Sequence, residues 1–281
     1  MHDLADVELD KEPGRTMPPS SRPPSFVPWI VAVLVVIAGA GAYYFTRQNA
    51  ATPAPFGSTT STEATVEPPG PLGADVAPID LPPLDQTDAL VRELVRSLSS
   101  HPRLAAWLTT DGLIRNFTVV VDNVAAGRTP ANHLRVLRPT GGFRPIDAGG
   151  TMVMDLRSYD RYNDLAAAAA SVDADGAAKL YATLKPRIED AYRELGQNEP
   201  FDRALERAIV HLLQAPSLQG EISLVPRGAL YDYNDSRIER LSQAQKQLLR
   251  MGPRNTRVIQ RKLRDIALAL GIPPERLPAQ R

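Results

Sequence analysis

Hydrophobic positions divide the chain into three stretches that follow different rules. Residues 26–45, FVPWIVAVLVVIAGAGAYYF, are twenty successive residues without a charge. At about 1.5 Å per residue, a helix of that length matches the roughly 30 Å hydrocarbon core of a bilayer. Pro28 falls near its start, where a missing backbone donor costs little. Trp29 at one end and Tyr43, Tyr44 and Phe45 at the other suit the two interfaces. A buried soluble helix would need apolar neighbours on every side, and the Pro-rich flanks supply none. The run is therefore expected to be a transmembrane helix. From Asn49 to Asp80 the periodicity vanishes, in a stretch rich in Ala, Thr, Pro and Ser with acidic residues and no Lys or Arg. Such a sequence cannot bury apolar area and is expected to be a disordered, partly extended tether.

From Leu81 a helical period takes over. Asp88 can cap a helix carrying Val91, Leu94, Val95 and Leu98. Ser100 can cap a short one with Pro102 in its first turn and Leu104, Trp107 and Leu108 inward. Thr110 or Asp111 opens a third, which buries Leu113, Ile114, Phe117, Val121 and Val124 and closes at Gly127. Further helices are expected from Ser158 to Ala170, from Asp173 through Pro186 to Gly196, over residues 201–214, and in two last pieces, about 237–251 and 253–270. The period shortens twice. Residues 143–146 and 151–154 flank Asp147–Gly150, and residues 221–225 and 229–233 flank Pro226-Arg227-Gly228, so both pairs read as β-hairpins. The expected fold is mainly α: a multi-helix globular domain with two short β-hairpins, preceded by one transmembrane helix and a disordered tether. Its parts are a cytoplasmic tail (1–25), the span (26–45), a Pro/Ala/Thr/Ser-rich linker (46–80) and a helical domain (81–281).

Charge fixes the direction. Lys11, Arg15 and Arg22 precede the span and only Arg47 follows it before Arg92. The positive-inside rule then keeps the N-terminus cytoplasmic and sends the C-terminus across the membrane. A cleaved signal peptide ending at Ala40-Gly41-Ala42 is the rival reading. The twenty-five residues ahead of the run, five of them acidic, and the length of the run itself oppose it. Ala38 to Ala42 contain no GxxxG, and nothing in the pattern specifies an oligomeric state.

Overall the chain is neutral, with 32 basic and 32 acidic residues, so bulk charge points away from nucleic acid. The absence of cysteine excludes disulfides, thiolate zinc sites and cysteine nucleophiles. His2, His101, His133 and His211 are scattered with no metal-binding spacing, and no nucleotide-binding or nucleophile-elbow motif occurs, so neither metal nor cofactor is expected. His211, between Val210 and Leu212, reads as a core-edge residue. Asp160 and Asp164 share a helix face with Arg157 and Arg161 interleaved, the pattern of a solvated, salt-bridged surface. Asp122-Asn123 leads out of an apolar helix into a loop with Arg128 and His133. That polar cluster reads either as the pinning of a loop or as the rudiment of a cleft.

The distribution of charge is less even than its total. From Arg227 onward there are twelve basic residues against five acidic, a net +7, while Asp80 to Pro226 carries sixteen against nineteen, a net −3. Arg254, Arg257, Arg261 and Arg264 fall on one side of the last helix, opposite Ile259, Leu263, Ile266 and Leu270. Such a face can meet an acidic protein patch, wall-polymer carboxylates or anionic lipid headgroups. It can also be a solvated face, or pair internally with the acidic half of the domain.

Five stretches carry a family resemblance: LVRELVRSLSSHPRLAAWLTTDGLIRNF from Leu90, VVDNVAAGRTP from Val120, SYDRYNDL from Ser158, GAAKLYATLKPRIEDAYRELG from Gly176 and LSQAQKQLLRMGPRNTRVIQRKLRDIA from Leu241. Together they resemble an uncharacterised bacterial family of single-pass membrane-anchored proteins, a domain of unknown function numbered three thousand and fourteen. Gly112 stands where that pattern has a second Asp, and Gln243 where it has Pro. The resemblance implies a Gram-negative envelope setting and supplies no activity, cofactor or catalytic residue.

The function expected on these grounds is a membrane-anchored periplasmic interaction or scaffold module. Its contacts are the inner membrane through residues 26–45 and an envelope protein or anionic surface through Arg254, Arg257, Arg261 and Arg264. The alternatives are an envelope enzyme with a cleft of dispersed residues around Asp122, Asn123 and His133, or a lipid- or cell-wall-binding sensor.

Overall fold

The structure, a computed structural model, describes residues 71–129, 137–139, 141–218, 220–228 and 230–279. The expected span at 26–45, most of the linker and His133 lie outside the described residues. Among those described, no helix is long and apolar enough to cross a membrane.

The described chain is mainly helical. Its helices are α1 (Asp88–Arg96), α2 (Pro102–Trp107), α3 (Leu113–Ala125), α4 (Asn163–Ala170), α5 (Ala174–Glu194), α6 (Phe201–Leu213), α7 (Ser236–Glu239), α8 (Gln243–Leu249) and α9 (Pro253–Ala269). The apolar stripe of α3, from Leu113 to Val124, is fully buried against α5 and α6. On the other side α9 crosses α4, α5 and α6, burying Ile259, Leu263, Ile266 and Leu270. Ala166, Ala168 and Ala169 of α4 are buried, small enough for α9 to approach closely. Phe201, wholly buried at the start of α6, has its ring centroid 5.4 Å from that of Phe117, 5.1 Å from Tyr192 and 6.3 Å from Tyr181. Aromatic clusters of this geometry add directional attraction to the burial of large apolar area.

Several helix starts differ from the sequence expectation. Asp88 does not cap its own helix; it lies in the first turn of α1, and its carboxylate accepts from Gly112 N (2.7 Å) and Leu113 N (2.9 Å). It thus satisfies the exposed donors of α3 from another helix, in place of the expected Thr110 or Asp111. Gly112, the position with φ +66°, leaves the start of α3 open to it. Likewise α2 is capped by His101 and not by Ser100, with Nδ1 accepting from Arg103 N at 3.2 Å. The helix expected from Ser158 is a 3-10 segment, Leu156–Tyr162, before α4 begins. The single helix expected over 237–251 is two, because Ser242 and Gln245 form a capping box that opens α8. Asp173 does cap α5, accepting from Gly176 N at 2.7 Å, and Pro186 lies within that helix.

Both hairpins occur, and they join. β1 (Pro145–Ala148), β2 (Thr151–Met154), β3 (Ser223–Arg227) and β4 (Leu230–Tyr233) form one antiparallel sheet in sequence order. β2 and β3 meet through Met152–Leu224 and Val153–Ser223. The first turn is Gly149-Gly150, both at positive φ, as a two-residue hairpin loop requires. The second reversal lies later than Pro226-Arg227-Gly228: Pro226 pairs with Tyr231 inside β3 and the chain turns after Arg227. Pro226 is tolerated because the pairing of β3 with β2 ends at Leu224, so no donor is missed on that side. Met154, Ile222, Leu224 and Tyr233 make a second, smaller core beneath the sheet.

Packed structure also begins before the expected domain limit at Leu81. Leu72 is buried, its N–H donates to Asp202 Oδ2 (3.0 Å), and Gly73 N and Ala74 N donate to Leu270 O (3.0 Å) and Ala178 O (3.4 Å). The same Asp202 carboxylate accepts from Lys185 Nζ (2.6 Å) and Tyr181 Oη (2.5 Å). Burial, reinforced by the Asp202 charge, holds the Tyr181 hydroxyl well above the ordinary tyrosine range, so it stays a donor. Further along, Arg187 donates to Leu81 O and Pro82 O. Residues 72–82 therefore form a strap stapled across α5, α6 and the end of α9.

Candidate functional site

Helix α9 owes its position to its first turn. Gly252, at φ +85° and ψ 160°, passes directly under the ring of Tyr159, and Pro253 follows at the first helical position. Asn255, buried, donates through Nδ2 to Met251 O (2.9 Å), Asn163 Oδ1 (3.0 Å) and Tyr159 O (3.2 Å), and Thr256 Oγ1 donates to Leu248 O (3.0 Å). With the helix locked and its apolar stripe buried, Arg254, Arg257 and Arg261 are exposed and Arg264 is half-buried.

Two further segments raise borders around this face. Gln260 Nε2 donates to Leu212 O, Leu213 O and Ala215 O, joining carbonyls at and just beyond the end of α6 and fixing the loop that follows. Arg257 Nη1 donates to Ser217 Oγ of that loop at 3.2 Å. The C-terminal tail returns alongside, with Leu277 buried and Arg276 paired to Glu206 at 2.7 Å. Arg264 Nη2 donates to Pro278 O. The result is a cleft of about 600 Å³, floored by Arg257, Gln260, Arg261 and Arg264 and bordered by residues 213–217 and 278–279.

Among the described residues, Arg254, Arg257, Arg261 and Arg264 form no ion pair, and Arg254 and Arg261 have no hydrogen-bond partner. The internal pairing with the acidic half of the domain is not formed. Asp265, the acidic residue of α9, is exposed and also makes no ion pair there. Three of the four arginines line the cleft, and Arg254 stands outside it on the same exposed side.

The polar cluster at the end of α3 is arranged differently. Arg128 Nη2 donates to Asp122 Oδ2 and its Nε to Asn123 Oδ1, both at 3.0 Å, while Gln197 Nε2 donates to Asp122 Oδ1 at 3.2 Å. Asn123 Nδ2 donates to Val119 O, and Arg128 N to Asn123 O. Both side chains are thus engaged in fastening the start of the loop. His133 lies outside the described residues, so the three are not seen together. Asp160 and Asp164 are both exposed but lie in different elements, the 3-10 segment and α4: the first accepts from Asn163 Nδ2, the second lies 3.9 Å from Arg103, and Arg157 pairs with Asp155 and Arg161 lies over the Tyr162 ring instead of bridging them. Among the described residues no group of three or more His, Asp or Glu could hold a metal ion.

One contact near the loop was not legible in the sequence. His211 Nε2 lies 2.7 Å from Ser242 Oγ, which also accepts from Gln245 N at 3.1 Å as the cap of α8. Gly127 passes so close that a Cβ there would lie 3.0 Å from Ser242 Cβ. Ser242 falls inside the single helix expected over 237–251, and its histidine partner is thirty-one residues away. The contact ties α6 to α8. Burial lowers the His211 pKa below the ordinary 6.5, so the folded protein holds the ring neutral where the unfolded chain would protonate it. As pH falls through 6.5 the unfolded state gains the proton first, and stability declines until the lowered folded pKa is passed. Melting temperatures measured from pH 7.5 down to 5 should therefore drop more steeply for the wild type than for His211→Asn, whichever is the more stable at pH 7.5. Parallel curves would show that His211 does not titrate in this way.

Residues 113–267, more than half of the chain, match the family model described as Protein of unknown function (DUF3014). The chain belongs to the DUF3014 family. No curated protein and no solved structure matches it. Within this DUF3014 chain the matched region opens at the first residue of α3 and closes in α9, so it includes all four arginines and the 213–217 border of the cleft. The other border, at Pro278 and Ala279, lies beyond the match, as do α1, α2 and the strap.

Proposed function

We propose that the chain is a membrane-anchored, non-enzymatic interaction module of the bacterial envelope. Residues 26–45 hold it in the inner membrane with the N-terminus cytoplasmic, and the helical domain lies in the periplasm, where α9 docks a partner protein. The observation that carries this reading is the arginine cleft. Guanidinium groups gathered on one face repel one another, and each gains when a counter-charge is received there. The side chains at Asp122 and Asn123, by contrast, are taken up in loop fastening, which supports docking over chemistry.

Replacing Arg254, Arg257, Arg261 and Arg264 together by Gln should abolish in-cell crosslinking of the full-length protein to its partner while lowering the melting temperature by no more than about 5 °C, since the structural bonds lost are those of Arg257 to Ser217 and Arg264 to Pro278. Unchanged crosslinking at unchanged stability would overturn the docking role of α9. An alkaline phosphatase fused after Arg281 should be active; an inactive fusion together with an active cytoplasmic reporter would reverse the placement.

A further inference from the structure

The cleft has a shape as well as a charge. The loop after α6 meets α9 at Arg257 and the tail meets it at Arg264, about 10 Å further along the helix at 1.5 Å per residue. Between them Arg261 stands with no partner among the described residues. Arg257 and Arg264 are each held by a neutral acceptor, a serine hydroxyl and a backbone carbonyl, so their positions are fixed while their charges stay unmatched. Guanidinium groups held in this way lose little conformational freedom on binding and present forked donors that fit carboxylates in pairs.

The lining narrows the class of anion. Arg257, Arg261 and Arg264 lie between two chain segments, the loop at 213–217 and the tail at 278–279. Single-stranded nucleic acid binds where bases can stack on aromatic rings, and no aromatic side chain lines this cleft. An extended peptide carries alternate side chains about 6.6 Å apart, against rises of roughly 6 Å from Arg257 to Arg261 and roughly 4.5 Å from Arg261 to Arg264, differences that the long arginine stems take up. Leu213, Ala215, Pro216 and Pro278 supply apolar borders for the methylene stems of such residues.

Building on the docking role of α9, we propose that this cleft is a receptor for an extended acidic segment of the partner protein, with carboxylates at alternate positions seated on Arg257, Arg261 and Arg264. The probe is a fluorescein-labelled decapeptide with Glu at alternate positions, titrated by anisotropy with full-length protein in detergent micelles at low salt. Binding should weaken by about tenfold or more in Arg257→Gln/Arg261→Gln, as expected when charge-assisted bonds are lost, and by less than about twofold in Arg240→Gln, an exposed arginine outside the cleft. The same peptide with Gln for Glu should not bind. Inorganic phosphate at matched ionic strength should not displace the acidic probe.

Equal affinity in wild type and the cleft variant overturns the proposal, as does displacement by phosphate. Cleft-dependent binding to phosphatidylglycerol vesicles with no peptide binding overturns it in favour of a lipid headgroup. If the peptide fails while crosslinking to the partner still depends on the arginines, the acidic-segment class falls and the docking role stands. If both fail, both fall.

Discussion

Replacing Gly252 by Ala should lower the melting temperature of the purified protein by about 10 °C or prevent folding altogether. Two effects coincide at this residue. Its backbone, at φ +85° and ψ 160°, lies where side-chain-bearing residues are strained by roughly 1–3 kcal/mol. An added Cβ would also lie 2.4 Å from Tyr159 Cγ and 2.7 Å from Cδ2, inside any real contact distance. Tyr159 cannot simply turn away, because its carbonyl is bound to Asn255 and its ring belongs to the small core under the sheet. A combined cost of about 3–5 kcal/mol, at roughly 2–4 °C per kcal/mol for a domain of this size, gives the expected shift. Gly196→Ala is the control: φ is +80° there, but nothing lies within 4 Å of the new Cβ, so only the strain remains. A comparable drop in both variants would show that crowding against Tyr159 is not the cause.

Phe201→Ala should be nearly as damaging, for a different reason. Its ring is the hub on which α3, α5 and α6 converge, and truncating a fully buried Phe costs about 3–5 kcal/mol through lost transfer energy and the cavity left behind. Phe201→Leu keeps most of the volume and should cost roughly half as much or less. Chemical denaturation read by tryptophan fluorescence, with Trp107 buried in the same core, separates the two. Near-equal midpoints for Ala and Leu would mean that the site relaxes around the smaller residue.

The parts of this fold that sequence alone revealed are those decided by one helix at a time. The burial of Leu113, Phe117 and Val124, or of Ile259, Leu263 and Ile266, follows from a 3.6-residue period that any partner surface would satisfy. The four arginines were legible for the same reason, being the complement of that stripe. What needed a second segment was hidden. Asp88 precedes an apolar run and so reads as the cap of its own helix, yet its carboxylate serves Leu113, twenty-five residues on. Leu72 sits in a Pro- and Gly-rich stretch with no period, and only Asp202 and Leu270 give it a place. The arginines became a cleft through Gln260, Ser217 and Pro278, three residues with no shared pattern along the chain.

The strap has a mechanical meaning. A pull on the N-terminal side of Leu72 enters the fold at Asp202 and Leu270, in the middle of the helical core, and not at the first turn of α1. The load is taken up by several bonds at once, while the slack from Asp75 to Asp80 and the second staple at Arg187 keep α1 out of the line of tension. In the proposed topology the domain is thus hung from the foot of the very helix that carries the arginines. Drag on a captured partner would then run along α9 to the membrane and need not unravel the end of the domain.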